Sequence, residues 1–158
     1  MRSVADSHGG EFEMKREILF RGLDRNGEWK YGDLLQPKRF VPTMKGQHTK
    51  AWILKNWFGN GGWLARGFAS PVQPETVGQY TGLKDRNGVK IFEGDIVSTQ
   101  RNNREVVEWD AEDCCFEANF SSYRGYGNSS YFLEYVKEKM VTVIGNIHQH
   151  KHLLEHDK

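Results

Sequence analysis

The most informative residues of the chain are Gly82-Leu83-Lys84-Asp85-Arg86-Asn87-Gly88, followed by Gly94-Asp95-Ile96-Val97, because their order occurs twice. The first copy starts sixty residues earlier and consists of Gly22-Leu23-Asp24-Arg25-Asn26-Gly27, followed by Gly32-Asp33-Leu34-Leu35. In both copies, Asn-Gly between short runs predicts a β-hairpin with a type I′ turn, whose two central residues have positive φ. The Gly-Asp pair that follows predicts a second chain reversal before an apolar strand. We therefore expect two similar hairpins, each with its Asn-Gly pair at the tip.

Composition also favours a β protein. Of the 158 residues, 37% are hydrophobic and 13% are aromatic, and 17 are glycine, which is typical of a turn-rich protein whose small cores are filled by rings. After residue 72, four or five short strands with hairpin signals predict a small barrel. The predicted fold class is mainly β, with an N-terminal β-rich unit followed by that barrel.

The second copy of the motif also carries a family resemblance. The stretch Gln79–Gly88, continued by Ile91–Val97, resembles the YopX family of small proteins encoded by bacterial phages and prophages. Met14–Arg21 resembles the start of that family, and Val143–Ile147 with the following Leu153-Leu154 resembles its closing strand and tail. The resemblance implies a β-rich fold with an SH3-like barrel in the C-terminal part, no assigned activity and a phage setting. The chain departs from the family pattern at His148–Lys151, where an Asn-Pro-like turn is more usual.

The chain divides into four predicted segments. Residues 1–13 show no periodicity and contain Glu11-Phe12, a dipeptide that cloning sites commonly leave, so we expect a tag remnant or a disordered leader. Residues 14–71 form a basic, aromatic-rich N-terminal β unit, residues 72–150 form the barrel, and residues 151–158 form a polar tail. The boundary is placed in the proline-containing stretch Ser70–Glu75, where the sign of the charge also changes.

Sequence features also indicate where in the cell the protein is found. No run approaches the eighteen or so apolar residues of a membrane span, and no apolar region follows a basic start as in a signal peptide. Two adjacent cysteines, Cys114 and Cys115, do not form an ordinary disulfide with each other, which favours a reducing compartment. We therefore expect a cytoplasmic protein in the bacterial host, without membrane contact.

The net charge of +1 conceals two halves of opposite sign. Residues 14–71 contain 11 Lys and Arg against 4 Asp and Glu, whereas residues 72–158 contain 10 against 14. This asymmetry predicts a dipolar surface and a tendency to form homo-oligomers in which oppositely charged halves meet.

Two groups of residues have the chemistry of metal ligands. The alternation of His148, His150 and His152 would place three imidazoles on one face of an extended backbone, but additional rigid ligands are missing, so we expect no native metal site. The acidic residues of the two motifs would form a second carboxylate group, but turn chemistry explains them without a metal, since Asp caps backbone N–H groups in tight turns. These residues are Asp24, Asp33, Asp85, Glu93 and Asp95.

No catalytic signature is present. There is no Gly-x-Ser-x-Gly elbow, and Gly59-Asn60-Gly61-Gly62 lacks the Gly-Lys-Ser/Thr of a phosphate-binding loop. The sequence predicts a protein that is not an enzyme, with no cofactor and no small-molecule substrate.

A basic and aromatic segment is the strongest functional signal. It interleaves cations with rings, the composition of surfaces that bind single-stranded nucleic acids. The candidate binding residues are Lys38, Arg39, Lys50, Lys55, Arg66, Trp57 and Trp63. Two alternatives stay open. In one, the rings are core residues; in the other, the positive half docks on the negative half of its own or a neighbouring subunit.

The functional hypothesis is binding without catalysis. The first hypothesis is a phage accessory protein that binds nucleic acid or a nucleoprotein through its basic N-terminal half. The alternative is a protein-binding module that inhibits a host or defence protein through an acidic partner surface, or a self-assembling scaffold. Salt dependence distinguishes these hypotheses, because phosphate contacts weaken steeply as salt rises.

Overall fold

The computed structural model describes residues 17–36, 51–55, 69–100, 103–120 and 130–155. In chain order, the strands and the helix of these ranges are β1 (Phe20–Leu23), β2 (Trp29–Leu35), β3 (Ala51–Leu54), β4 (Ala69–Val72), β5 (Gly78–Lys84), β6 (Lys90–Phe92), β7 (Asp95–Thr99), β8 (Arg104–Val106), β9 (Glu108–Asp110), β10 (Cys115–Glu117), α1 (Ser130–Lys137) and β11 (Val141–Asn146). Short 3-10 helices occupy Pro74–Thr76 and Lys151–Leu154. The predicted mainly β class is confirmed.

The strands form antiparallel sheets. Six of them lie in the order β4-β3-β2-β1-β5-β6, three in the order β11-β7-β8, and β9 pairs with β10. Strand β1 is central to the largest sheet, where it pairs with β2 on one side and with β5 on the other. The six-stranded sheet therefore joins strands from both sides of residue 71, and the division of the chain at that residue stays a prediction.

The two Asp-Arg-Asn-Gly turns have the same hydrogen bonds but differ from the predicted type. In the first, the Gly27 N–H donates to the Asp24 carbonyl oxygen (3.1 Å) and the Asp24 N–H donates to the Glu28 carbonyl oxygen (2.9 Å). Within these two turns, only the glycines have positive φ, at 78° for Gly27 and 82° for Gly88. The type I′ assignment was therefore wrong, because the loop has three residues, and the left-handed glycine follows an ordinary turn.

The predicted second reversal is present in only one copy. Gly94 lies in a turn at φ 79° and starts β7, whereas Gly32 and Asp33 continue straight through β2. The reversal predicted at Gly32 was therefore wrong. The reason is the neighbouring strand β3, which pairs with Asp33 through Leu54 and extends the sheet.

Two apolar clusters hold the described residues together. The larger is formed by β6, β7, β11, α1 and the strand-linking residues between them: Ile91, Val97, Val107, Ala118, Phe120, Phe132, Val136 and Val141. The smaller is formed by Ala51, Ile53 and Val72 of β3 and β4. Full burial of a Val, Ile or Phe side chain contributes about 1.5–3 kcal/mol, so the larger of these two clusters contributes more to stability than the smaller. In the described part of the chain, no helix has the length and apolar character needed to cross a membrane.

Candidate functional site at Arg21 and Asp95

A buried ion pair joins Arg21, the residue before the first copy of the motif, to Asp95 of the second copy. Strand β1 carries Arg21, and the turn at Gly94 places Asp95 at the start of β7. Arg21 Nη2 lies 2.7 Å from Asp95 Oδ1, and the two side chains are only 7% and 2% exposed. The same nitrogen donates to the Glu93 carbonyl oxygen at 3.2 Å, and Asp95 Oδ2 accepts from the Phe92 N–H at 2.8 Å.

Two aromatic rings pack against this guanidinium group. The Arg21 Cζ atom lies 4.3 Å from the centre of the Trp29 ring and 4.9 Å from that of Phe92. Such stacking is favourable because the ring face carries negative charge. Arg21 Nε is nevertheless buried without an acceptor among the described residues. A buried donor without a partner carries a desolvation cost, so the arrangement is not optimised for stability alone.

Burial raises the pKa of the Asp95 carboxyl group, and the nearby positive charge of Arg21 opposes this shift. The Phe92 N–H also favours the ionised form by donating to it. Because removing either charge would leave the other buried alone, the two residues form one structural unit.

An open hollow of about 430 Å³ lies over the ion pair. Its lining is mostly apolar and is formed by Leu19, Arg21, Tyr31, Val89, Lys90, Phe92, Asp95 and Val143. At its rim, Tyr31 is 43% exposed and Val89 is 49% exposed. Tyr31 packs edge-on against Phe92 with 5.6 Å between ring centres. The hollow therefore exposes the aromatic ring of Tyr31 and the aliphatic side chain of Val89 to water. The charges of Arg21 and Asp95, which also line it, are buried and neutralise each other.

Lys90 supplies a positive charge at the same rim. Its Nζ atom lies 2.5 Å from Glu17 Oε1 and 5.2 Å from the centre of the Tyr80 ring. Both members of the Lys90–Glu17 pair are partly solvent-exposed, in contrast to Arg21 and Asp95. Exposed pairs of this kind contribute little to stability, so Lys90 can exchange its partner at low cost.

The residues that follow β11 contact Trp29 and so pack against the first hairpin beside the ion pair. Trp29 Nε1 donates to Gln149 Oε1 (2.9 Å), and Gln149 Nε2 donates to the Gly27 carbonyl oxygen (3.0 Å). The rings of Trp29 and His148 lie 6.1 Å apart. Desolvation by neighbouring atoms and then the charge of Arg21 lower the pKa of His148. The C-terminal segment therefore fastens the first hairpin next to the ion pair.

Of the basic and aromatic residues predicted to bind a partner, one is described. Lys55 follows β3 and is exposed. The other six lie outside the described residues, and the structure does not test the prediction for them: Lys38, Arg39, Lys50, Arg66, Trp57 and Trp63.

The histidines do not lie on an extended backbone. A turn follows Asn146, in which the His150 N–H donates to the Asn146 carbonyl oxygen (2.9 Å), and His152 lies in the second 3-10 helix. Within the ranges that the structure describes, no group of three or more metal-ligand side chains is suitably placed for a metal ion. The absence of a native metal site stays a prediction.

Sequence reasoning missed the residues of this site. Asp95 was assigned to turn chemistry, and Arg21, Tyr31, Val89 and Lys90 received no role in a site. One signal was available, because an arginine inside the apolar run Ile18–Leu23 requires a buried partner if its strand is central. The identity of that partner, 74 positions away in the chain, is visible only in the fold.

Comparison with known proteins gives a family and a similar structure. The family model described as YopX protein matches residues 20–155. A solved structure titled protein EF1440 from Enterococcus faecalis is similar at 24% identity and a TM-score of 0.49, covering 89% of this chain and 99% of that chain. No curated protein matches the chain.

Proposed function

The chain belongs to the YopX family, and from the geometry of its described part we propose that it is a non-catalytic binding protein whose hollow at Arg21 and Asp95 receives a segment of another protein. The exposed apolar rim of that hollow carries this proposal. Tyr31 and Val89 are two of the large hydrophobic side chains that the described structure leaves in water, and both line the same hollow. Clustered exposed apolar surface marks interaction sites more often than isolated exposed residues do.

The chemistry of the rim suits a protein partner. Tyrosine is among the residues that contribute most to protein interfaces, because it buries a large ring and loses little conformational entropy. The hollow's volume of about 430 Å³ accommodates a few side chains. Its floor is already charge-neutral through Arg21 and Asp95, so a partner's side chain meets no unpaired buried charge there.

Capture from infected host lysate tests the proposal. The wild-type protein should retain a partner after nuclease treatment, and Tyr31→Ala and Val89→Asp should lose it. Leu133→Asp is the matched control, because Leu133 is an exposed hydrophobic residue on α1 that does not line the hollow. Equal loss in the control, or undiminished capture by both rim variants, contradicts the proposal.

A second candidate function is nucleic-acid binding through the basic N-terminal half. The excess of 11 cations over 4 acidic residues in residues 14–71 favours it. Lys38, Arg39, Lys50, Lys55 and Arg66 would contact phosphates, and Trp57 and Trp63 would stack on bases. On single strands, each phosphate-contacting cation should contribute about −0.7 to the slope of log affinity against log salt. Absence of DNA or RNA retardation at low salt would exclude this candidate.

The proposal also covers the barrel, the internal repeat, the origin of the protein, its location and its oligomeric state. We propose that residues 72–150 form an SH3-like barrel and that the two Asp-Arg-Asn-Gly hairpins are an internal repeat. The antiparallel sheet β11-β7-β8 and the matching hydrogen bonds of the two turns support these points. The family supports a phage or prophage origin and hence action in the host cytoplasm. The opposite charges of the two halves favour a homo-oligomer, which a lower mass at high salt than at low salt would reveal.

A further inference from the structure

The cations at the hollow differ in how freely they can accept a ligand. Arg21 already forms an ion pair with Asp95, and both side chains are almost fully buried. Lys90 faces the rim, and its partner Glu17 is 52% exposed. Of the cations that line the hollow, Lys90 is therefore the one whose carboxylate partner can be replaced without burying an unpaired charge.

The chain itself shows which chemistry fits this rim. Glu17 places its carboxylate on Lys90, and two positions later Leu19 lines the hollow. Between them, Ile18 is 50% exposed. The segment before β1 thus presents a carboxylate to Lys90 at the rim and, two positions later, an aliphatic side chain that lines the hollow.

We infer that the protein segment bound at the hollow carries an acidic residue next to bulky aliphatic residues. Its carboxylate takes the place of Glu17 on Lys90 Nζ, and its aliphatic side chains cover Tyr31 and Val89. This inference rests on the proposed function, since it names the chemistry of the partner at the same site. Glu17 then competes with the partner's carboxylate for Lys90. This competition makes the hollow selective for segments that carry both a carboxylate and aliphatic side chains.

Replacing the Glu17 carboxylate on Lys90 by a partner's carboxylate costs little free energy. One exposed ion pair replaces another, so the carboxylate contributes selectivity, and burial of the apolar rim supplies most of the affinity. A competitor on the same chain acts at a high effective concentration, so its removal should strengthen binding. The two members of the Lys90–Glu17 pair are therefore expected to have opposite effects on affinity.

The probe is the peptide acetyl-Glu-Ile-Leu-amide, titrated into the full chain and followed by ¹H–¹⁵N chemical shifts of Tyr31, Val89 and Lys90. Matched probes are acetyl-Gln-Ile-Leu-amide, which lacks the charge, and acetyl-Glu-Ser-Ser-amide, which lacks the aliphatic groups. Relative to wild type, Glu17→Gln should raise the affinity for the first peptide about two- to fivefold, and Lys90→Gln should lower it by a similar factor. Lys90→Arg should retain most of the binding, because it keeps the charge.

The pair Lys30 and Glu28 provides the matched control. It is another Lys–Glu pair, with 2.7 Å between its charged atoms and side chains that are 19% and 68% exposed, and it does not line the hollow. Lys30→Gln and Glu28→Gln should leave the affinity unchanged.

Equal binding of the Glu and Gln peptides, or no shift with any peptide, overturns the inference. The proposed function is judged separately, by capture with Tyr31→Ala. Stronger shifts of the same residues with a thymidine hexanucleotide would overturn it in favour of a nucleic-acid ligand.

Discussion

The turn Asp24–Glu28 and the turn Asp85–Val89 have the same local geometry and different surroundings. In each, one carboxylate oxygen of the aspartate accepts two backbone N–H groups, at 2.8 and 3.0 Å for Asp24 and at 2.8 and 2.9 Å for Asp85. The other oxygen differs in its partner. For Asp24 it is the Lys30 ammonium group at 3.1 Å, and for Asp85 it is the Val143 N–H at 3.1 Å.

This difference separates a surface turn from a docked turn. The second turn is also attached by the Arg86 N–H, which donates to the Val141 carbonyl oxygen at 3.0 Å. Asp85 is consequently buried and its side chain connects its hairpin to β11, whereas the first turn is attached to distant residues of the described ranges only through its backbone carbonyl oxygens, which accept from the side chains of Gln73 and Gln149. Identical local sequence therefore produces the same turn, and the surrounding strands decide whether the aspartate side chain of that turn also binds a distant strand.

The largest contrast between the copies is expected at their second aspartates. Asp95→Ala should lower the free energy of unfolding by about 3–5 kcal/mol, because it leaves the Arg21 charge buried without a partner. Asp33→Ala should have little effect, since Asp33 is exposed in β2. Urea denaturation of both variants measures the difference. Similar small losses in both would show that the Arg21–Asp95 pair is dispensable.

The next contrast concerns the glycines before these aspartates. A Cβ atom at Gly32 would lie 1.8 Å from the Leu54 carbonyl oxygen, so Gly32→Ala should separate β2 from β3 and cost about 3 kcal/mol. At Gly94, a Cβ atom would meet its nearest neighbour at 3.6 Å, and only the positive φ is unfavourable. Gly94→Ala should therefore cost less, about 1–2 kcal/mol. Thermal denaturation of the two variants ranks them, and the reverse order would contradict the close approach of β2 and β3.

A third contrast sharpens the distinction between the surface turn and the docked turn. Asp85→Ala removes the acceptor of the Val143 N–H and of two turn N–H groups, and should cost about 2 kcal/mol. Asp24→Ala should cost less, because water can replace the side chain at an exposed turn. In hydrogen exchange, Asp85→Ala should also lose protection at Val143, and unchanged protection there would argue against docking through this carboxylate.

The smallest expected effect is a pH dependence at His148, which lies where the two copies meet. Its pKa is lowered below the ordinary value of 6.5, so the folded state favours the neutral ring. The unfolded chain then binds more protons as pH falls, and the associated stability is present above pH 6.5 and is lost as pH falls through the folded-state pKa. His148→Gln should reduce this decline relative to wild type. An identical pH profile of the two proteins would assign the decline to other groups.

Local features of the fold were largely predictable from sequence. The mainly β class, the family and the position of both turns follow from the Asp-Arg-Asn-Gly motif and the spacing of apolar residues. The turn type was wrong because the aspartate side chain favours a three-residue loop, a preference that the Asn-Gly pair alone does not reveal.

The candidate site was not predictable, because its defining ion pair joins residues far apart in the chain. The amino-acid order determines the turns, since their hydrogen bonds close within five residues and glycine alone adopts their positive φ without strain. The same motif ends differently at Gly32 and Gly94 because β3 is available to extend only the first copy. Tertiary structure therefore decided which aspartate is buried beside Arg21, since pairing between distant strands depends on the whole set of apolar surfaces buried together.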